Sequence, residues 1–186
     1  EMKYNTQNAK IESITEKTLI VGIDVGSETH YARAFDWRNC EYSKKPLEFS
    51  NNEAGFVTFK AWMEKLAEKY GKDVVIPGME PTGHYWLNID KYFKDCGQET
   101  VLMPTYTVKQ GKEMHDQNPT KSDPKDALLI ARLTSEGKYV KPIERDELYQ
   151  NIYSGYSIYE DIQKEINRIR NKIHVWNDKY FPEVEK

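Results

Sequence analysis

Four carboxylates stand where they could act together: Asp24, Glu80, Asp123 and Asp126. Asp24 closes the apolar run Leu19-Ile20-Val21-Gly22-Ile23, and Glu80 closes a second one, Val74-Val75-Ile76-Pro77-Gly78-Met79. An acid at the end of a buried strand is costly unless something compensates it. In open sheets, functional groups gather beyond the carboxyl ends of the strands. Asp123 and Asp126 lie three apart in Ser122-Asp123-Pro124-Lys125-Asp126, a spacing that puts both on one side of a helix's first turn. Hard divalent cations such as Mg²⁺ take carboxylate oxygens and keep several waters. Two such ions can activate one oxygen and stabilise the leaving one in phosphoryl transfer. Each acid also has a simpler explanation. Asp24 could cap a turn at Val25-Gly26-Ser27, and Glu80 could begin one at Pro81-Thr82-Gly83. Asp123 before Pro124 has the form of an N-cap, and Asp126 suits the positive end of the helix. The strand-end acids have fewer such excuses than the paired aspartates.

These side chains need elements to hold them. Thr18 to Val25 reads as a buried strand, His30 to Asp36 as a second, and Glu41 to Phe49 as a weaker third. Asn51-Asn52-Glu53 opens a helix with Phe56, Phe59, Met63, Leu66 and Tyr70 on one face, and Gly71 stops it. Asp73 to Met79 is a strand and His84 to Asp95 a helix closed by Gly97. Thr100 to Met103 is a short strand and Thr107 to His115 a short helix. Gln117 to Ser122 is a polar loop, and Pro124 to Glu136 is a helix punctuated by proline and Gly137. Three strands that could form an antiparallel meander, followed by helix-strand alternation, describe an α/β mixed sheet with helices on its faces.

The last segment has another pattern. Ile152, Gly155, Tyr159, Ile162, Ile166, Ile169, Ile173, Trp176 and Tyr180 alternate spacings of three and four, a heptad seam. With Tyr159 at position a, Glu165 falls at g and Arg170 at the following e, and the two could pair between parallel chains. Isoleucine at both a and d favours higher oligomers, but Gly155 reads as a break and the ends are aromatic. An ordinary amphipathic helix packed on its own domain is the alternative.

The bulk composition narrows the classes. A chain of 186 residues with 38% hydrophobic content supports one full core and an appended element. Its 13 tyrosines suit interfaces or base stacking, and the count does not choose between them. A net charge of −3 runs against a nucleic-acid binder unless basic residues are segregated or the acids hold metal. Cys40 and Cys96 lack ligand spacing and read as buried or half-buried free thiols of a reducing cytoplasm. No signal peptide or membrane span is visible. Glu1 to Lys17 reads as a polar leader, beginning at a tag scar or processed end.

Three blocks together resemble the DEDD-class bacterial insertion-sequence transposases, the family that includes the pilin-gene-inverting recombinases. They are Val21-Gly22-Ile23-Asp24-Val25-Gly26-Ser27, Met79-Glu80-Pro81-Thr82-Gly83-His84-Tyr85 and Thr120-Lys121-Ser122-Asp123-Pro124-Lys125-Asp126-Ala127. A fourth is the Arg-, Lys- and Asn-rich stretch from Ile166 to Pro182. The resemblance implies a RuvC-like, ribonuclease-H-like fold with Asp24, Glu80, Asp123 and Asp126 as the catalytic ligands of Mg²⁺ or Mn²⁺. It implies DNA strand exchange, guided by a structured RNA from the element, in a bacterial cytoplasm. It also implies homo-oligomer assembly through a helical segment after the core. Residues 1–17 would then be leader, 18–145 the catalytic domain and 146–186 a long C-terminal coiled-coil helix. The family continues into a domain bearing a serine nucleophile, so this chain reads as an N-terminal fragment that would not complete recombination alone. Pro81 departs from the small residue usual after the glutamate.

Several other residues have two readings. His84 could touch phosphate or metal, or simply begin a helix, and His115 reads as surface. Lys121 and Lys125 could neutralise phosphates or be solvated. Arg168, Arg170, Lys172 and Lys179 could serve interhelical pairing or nucleic acid. Two competing functions remain: a non-catalytic nucleic-acid-binding dimerisation module, and an actin-like phosphotransferase suggested by Gly22-Ile23-Asp24-Val25-Gly26-Ser27. The latter needs a second glycine-rich phosphate motif that the sequence lacks.

Overall fold

A computed structural model describes residues 2–43, 45–115, 123–142, 147–181 and 183, and only the backbone of 2–5, 115, 123, 124, 147, 149, 150 and 153. The chain divides into two units, residues 1–142 and 143–186.

The first unit is organised around β1 (Thr18–Asp24). Its unbroken Leu/Ile/Val run has no polar face, so it must be covered on both sides. It lies at the centre of a five-stranded sheet ordered β3-β2-β1-β4-β5. β2 (Thr29–Phe35) and β3 (Leu47–Ser50) form the expected antiparallel meander on one side. β4 (Val74–Met79) and β5 (Val101–Leu102) run parallel to β1 on the other. This is the mixed, ribonuclease-H-like sheet. The third strand is shorter than expected: only Leu47–Ser50 pairs continuously, and Glu41 meets Phe35 through an isolated bridge.

Alternation along β1 sends its residues into two helical layers. Leu19, Val21 and Ile23 pack with Phe56, Phe59 and Met63 of α2 (Glu53–Tyr70) and with Ile89 and Phe93 of α3 (Trp86–Asp95). Ile20 packs on the opposite face with Val108 of α4 (Thr105–His115) and Ile130 and Leu133 of α5 (Asp123–Ser135). The Asn52 side chain caps α2 by accepting from the Gly55 N–H at 2.9 Å, and Gly71 ends the helix at φ +60°, where glycine is least strained.

The segment before β1 is more than a polar leader. It forms α1 (Met2–Ser13), and Lys10 Nζ donates to the Tyr139 carbonyl at 2.5 Å. Ile14 is buried with the α5-side core, which a reading based on average polarity misses. The two cysteines are free, as expected, but exposed. Cys40 follows a surface turn after β2 and Cys96 sits at the C-terminal cap of α3, positions where backbone geometry leaves the side chain outside.

The second unit is one helix, α6 (Glu147–Tyr180). It runs through Gly155 without a break, because a glycine lowers helix propensity by only about 1 kcal/mol. The seam residues Ile152, Tyr159, Ile162, Ile166, Ile169, Ile173, Trp176 and Tyr180 are all exposed. Glu165 pairs with Arg168 of its own helix at 2.5 Å, which competes with the interchain partner expected at Arg170. Among the described residues, no helix is long and apolar enough to cross a membrane.

Candidate functional site

Strand register decides where the first two acids go. β1 and β4 pair Gly22 with Gly78 and Ile23 with Met79. Asp24 is the last residue of β1 and Glu80 follows the last residue of β4, so both acids leave the sheet at the same end of parallel neighbours. Alternation then settles the face. Ile20 and Ile76 belong to the core under α5, so Gly22, Asp24 and Gly78 point the same way.

The helix that carries the other two acids rests on the glycines. A Cβ added at Gly22 would lie 1.9 Å from the Ala127 carbonyl oxygen and 2.7 Å from the Ala131 nitrogen. One added at Gly78 would lie 2.5 Å from Thr134 Oγ1. α5 therefore crosses β1 at backbone contact and meets β4 through the Thr134 side chain. Asp126, one residue before Ala127, is carried to the sheet edge where Asp24 and Glu80 end their strands. Asp123 opens the same helix, and its side chain lies outside the described residues.

A cation unforeseen from the sequence joins these acids. Lys112 Nζ of α4 donates to Asp126 Oδ2 at 2.6 Å. Burial alone would lower the Lys112 ammonium. The bond to Asp126 and the charges of Asp126, Glu80 and Asp24 outweigh it and hold the group above the ordinary lysine value. Three of the four expected carboxylates thus act on one ammonium. Burial pushes the Glu80 carboxyl above the usual glutamate value, and the negative charge of Asp126 adds to this. Lys112 and a hydrogen bond from the Thr105 hydroxyl pull in the opposite direction without prevailing.

The turn after Asp24 is pinned by a buried histidine. The Gly26 N–H donates to His30 Nδ1 at 3.2 Å, and the ring lies between Phe49 and Phe56. His30 Nε2 and Asn51 Oδ1 are buried without an ordinary hydrogen-bond partner. Desolvation lowers the His30 pKa, offset in part by Asn51, so the ring is neutral and accepts at Nδ1.

Other sequence candidates lie apart from this cluster or outside the described residues. His84 is exposed in the turn before α3, its ring 4.3 Å from Tyr85. Lys125 is exposed in the first turn of α5. Lys121 and the His115 side chain lie outside the described residues. Arg170, Lys172 and Lys179 are exposed on α6. Strand-interior glycines were a readable signal of close backbone approach. Lys112 and His30 gave none, since nothing local distinguishes a site lysine from a solvated one.

The donor set suits a hard divalent cation: oxygen ligands only, net negative, facing a shared positive charge. Among the described residues, no three acidic, histidine or cysteine side chains are drawn together tightly enough to hold an ion as they stand. The group nearest Asp126 is the Lys112 ammonium, which occupies the position of a counter-charge.

Comparison with protein families decides the kinship. The transposase model of the IS110-type DEDD family matches residues 21–182, which include all four acids and α6. The chain belongs to this family of transposases. Comparison with curated proteins finds no match. Among solved structures, the transposase resembles Thermus thermophilus RuvC in complex with Holliday junction substrate, at 12% identity and a TM-score of 0.44, over 67% of this chain and 99% of that one. A second T. thermophilus RuvC structure gives 12% and 0.40 over the same shares. An exopolyphosphatase from Cytophaga hutchinsonii gives 12% and 0.32, over 50% of this chain and 36% of that one. Membership in a transposase family removes the ground for the actin-like phosphotransferase reading.

Proposed function

We propose that this chain is the metal-binding part of a DNA transposase that exchanges DNA strands under the guidance of an RNA from its own element. The observation that carries the proposal is the convergence of Asp24, Glu80 and Asp126 on the single ammonium of Lys112 at the carboxyl edge of β1 and β4. Asp24, Glu80, Asp123 and Asp126 would hold Mg²⁺ or Mn²⁺. Bound there, the metal would activate an oxygen nucleophile and stabilise the leaving oxygen of a phosphodiester. The chain's own residues orient this chemistry. Gly22 and Gly78 let α5 approach, Thr105 holds Glu80, and His30 fixes the turn behind Asp24. Following the family resemblance, no serine of this chain is assigned as nucleophile.

On this reading residues 1–17 are a leader whose helix α1 docks on the core, 18–145 the catalytic domain and 146–186 an assembly helix. The exposed seam of α6 supports self-association as a coiled coil. Sedimentation of Ile166→Asp tests it, and an unchanged oligomeric mass removes the seam from assembly.

Titration with Mn²⁺ tests the site. Asp24→Ala combined with Asp126→Ala should abolish binding that the parent protein shows. A double variant that binds as well as the parent defeats the reading. A mobility shift with the element's RNA tests the guide, and the absence of any shift refutes that part.

A further inference from the structure

We propose that Lys112 is the resident counter-cation of the acid cluster, offsetting part of its negative charge while metal-free and giving up Asp126 when a divalent cation binds. The inference rests on the metal-binding reading above. α4 and α5 touch at Gly111, where an added Cβ would come within 2.9 Å of Leu129 Cδ1. That contact fixes the backbone of the next residue, Lys112, close to α5. Its Nζ reaches Asp126 Oδ2 at 2.6 Å, with side chains 42% and 21% exposed.

The ammonium and a divalent ion would compete for the negative charge of Asp126. A divalent ion at about 2.1 Å from Oδ2 would stand close to the ammonium, and the two positive charges would repel in a half-buried setting. The ammonium is the movable partner, being a point charge on a flexible four-carbon stem. Its partial exposure leaves a route outward. Once released, it stands at the rim of the metal cluster, placed to take a phosphate oxygen. Metal loading and presentation of Lys112 to nucleic acid are then one event.

The test uses Mn²⁺ alone, with free Mn²⁺ followed by electron paramagnetic resonance, on the parent, Lys112→Met, Lys112→Arg and Asp126→Asn. Lys112→Met should bind Mn²⁺ about two- to fivefold more tightly, as expected on losing one competing ion pair. Lys112→Arg should stay near the parent, and Asp126→Asn should lose binding. Equal or weaker affinity in Lys112→Met, with loss in Asp126→Asn, overturns the counter-cation and leaves the metal site standing. Parental affinity in Asp126→Asn overturns both. A second measurement needs no variant. Acylation of the parent protein by an amine-reactive ester, read by mass spectrometry, should rise at Lys112 when Mn²⁺ is added and stay level at exposed Lys109. Unchanged labelling at Lys112 overturns the proposal.

Discussion

Gly22→Ala is the sharpest single perturbation available. The new methyl would lie 1.9 Å from the Ala127 carbonyl oxygen, 2.7 Å from the Ala131 nitrogen and 3.0 Å from the Ala127 carbonyl carbon. All three are backbone atoms, so no side-chain rotation relieves the clash. Carbon-to-oxygen contact begins near 3.3 Å, so β1 and α5 must separate by roughly 1.4 Å. β1 is laced to β2 and β4 on both sides, whereas α5 is held to the sheet by packing, so α5 is the element that yields. Overpacking of this kind costs about 1–3 kcal/mol. Asp126 moves with Ala127, and a displacement near 1 Å at a reacting centre costs about 100-fold in rate. Urea denaturation of the metal-free protein should therefore show a loss of about 2 kcal/mol, and Mn²⁺ affinity should fall in the molecules that remain folded. A loss below about 0.5 kcal/mol with unchanged Mn²⁺ affinity would refute the claim that α5 rests on the strand backbone and is positioned by it.

Three further outcomes follow from the same geometry. Gly155→Ala should strengthen α6 by about 0.5–1 kcal/mol, because a Cβ there meets nothing within 4 Å; thermal melting followed by circular dichroism checks it, and a weaker helix would contradict it. Glu80→Gln should stabilise the metal-free fold at neutral pH while weakening Mn²⁺ binding. Burial raises the folded-state pKa of Glu80, so its ionised form destabilises the protein above that pKa, and the penalty is relieved as pH falls through it. The urea midpoint of the parent should accordingly improve relative to Glu80→Gln as pH falls toward the ordinary glutamate range, and parallel profiles would refute the assignment. His30 has a folded-state pKa below its ordinary value of 6.5, so its contribution is present above that pH and lost as pH falls through the folded value. Protection of the Gly26 amide against hydrogen exchange should decline as the His30 ring, followed by NMR, becomes protonated; protection that stays flat through that protonation would show that His30 does not hold the turn.

The fold was readable where burial leaves a periodic trace. β1 could be recognised because a strand covered on both faces cannot afford polar residues, and α2 because Phe56, Phe59 and Met63 repeat at helical spacing before a glycine stop. The failures have equally local causes. α1 has too few apolar residues to show a stripe, since its docking depends on Lys10, Gln7 and the nearby Ile14. The third strand was drawn too long because Glu41 does meet Phe35, but through an isolated bridge, while the continuous ladder begins at Leu47. Gly155 looked like a break because composition reports propensity, and a 34-residue helix absorbs one weak position.

The acids divide along the same physical line. Asp24 and Glu80 were legible because a carboxylate at the end of a buried strand has to be compensated, and the parallel pairing of β1 and β4 brings both to the same end of the sheet. Asp126 could not be separated from a helix-start acid by spacing, since the first turn of α5 places a capping carboxylate and a site carboxylate alike. What distinguishes it is tertiary: the glycine steps in β1 and β4 bring that turn onto the sheet edge, and Lys112 arrives from α4 to meet it. Neither fact is a property of Asp126 or its neighbours in the chain. Gly22 and Gly78 were visible as strand-interior glycines, and their pairing in the ladder is the clue that a helix backbone crosses there. The space above the two paired glycines is filled by α5, which carries the third carboxylate. Lys112 stays beyond that reasoning, because α4 reaches the site through tertiary packing, with Gly111 against Leu129 and Val108 in the core around Ile20.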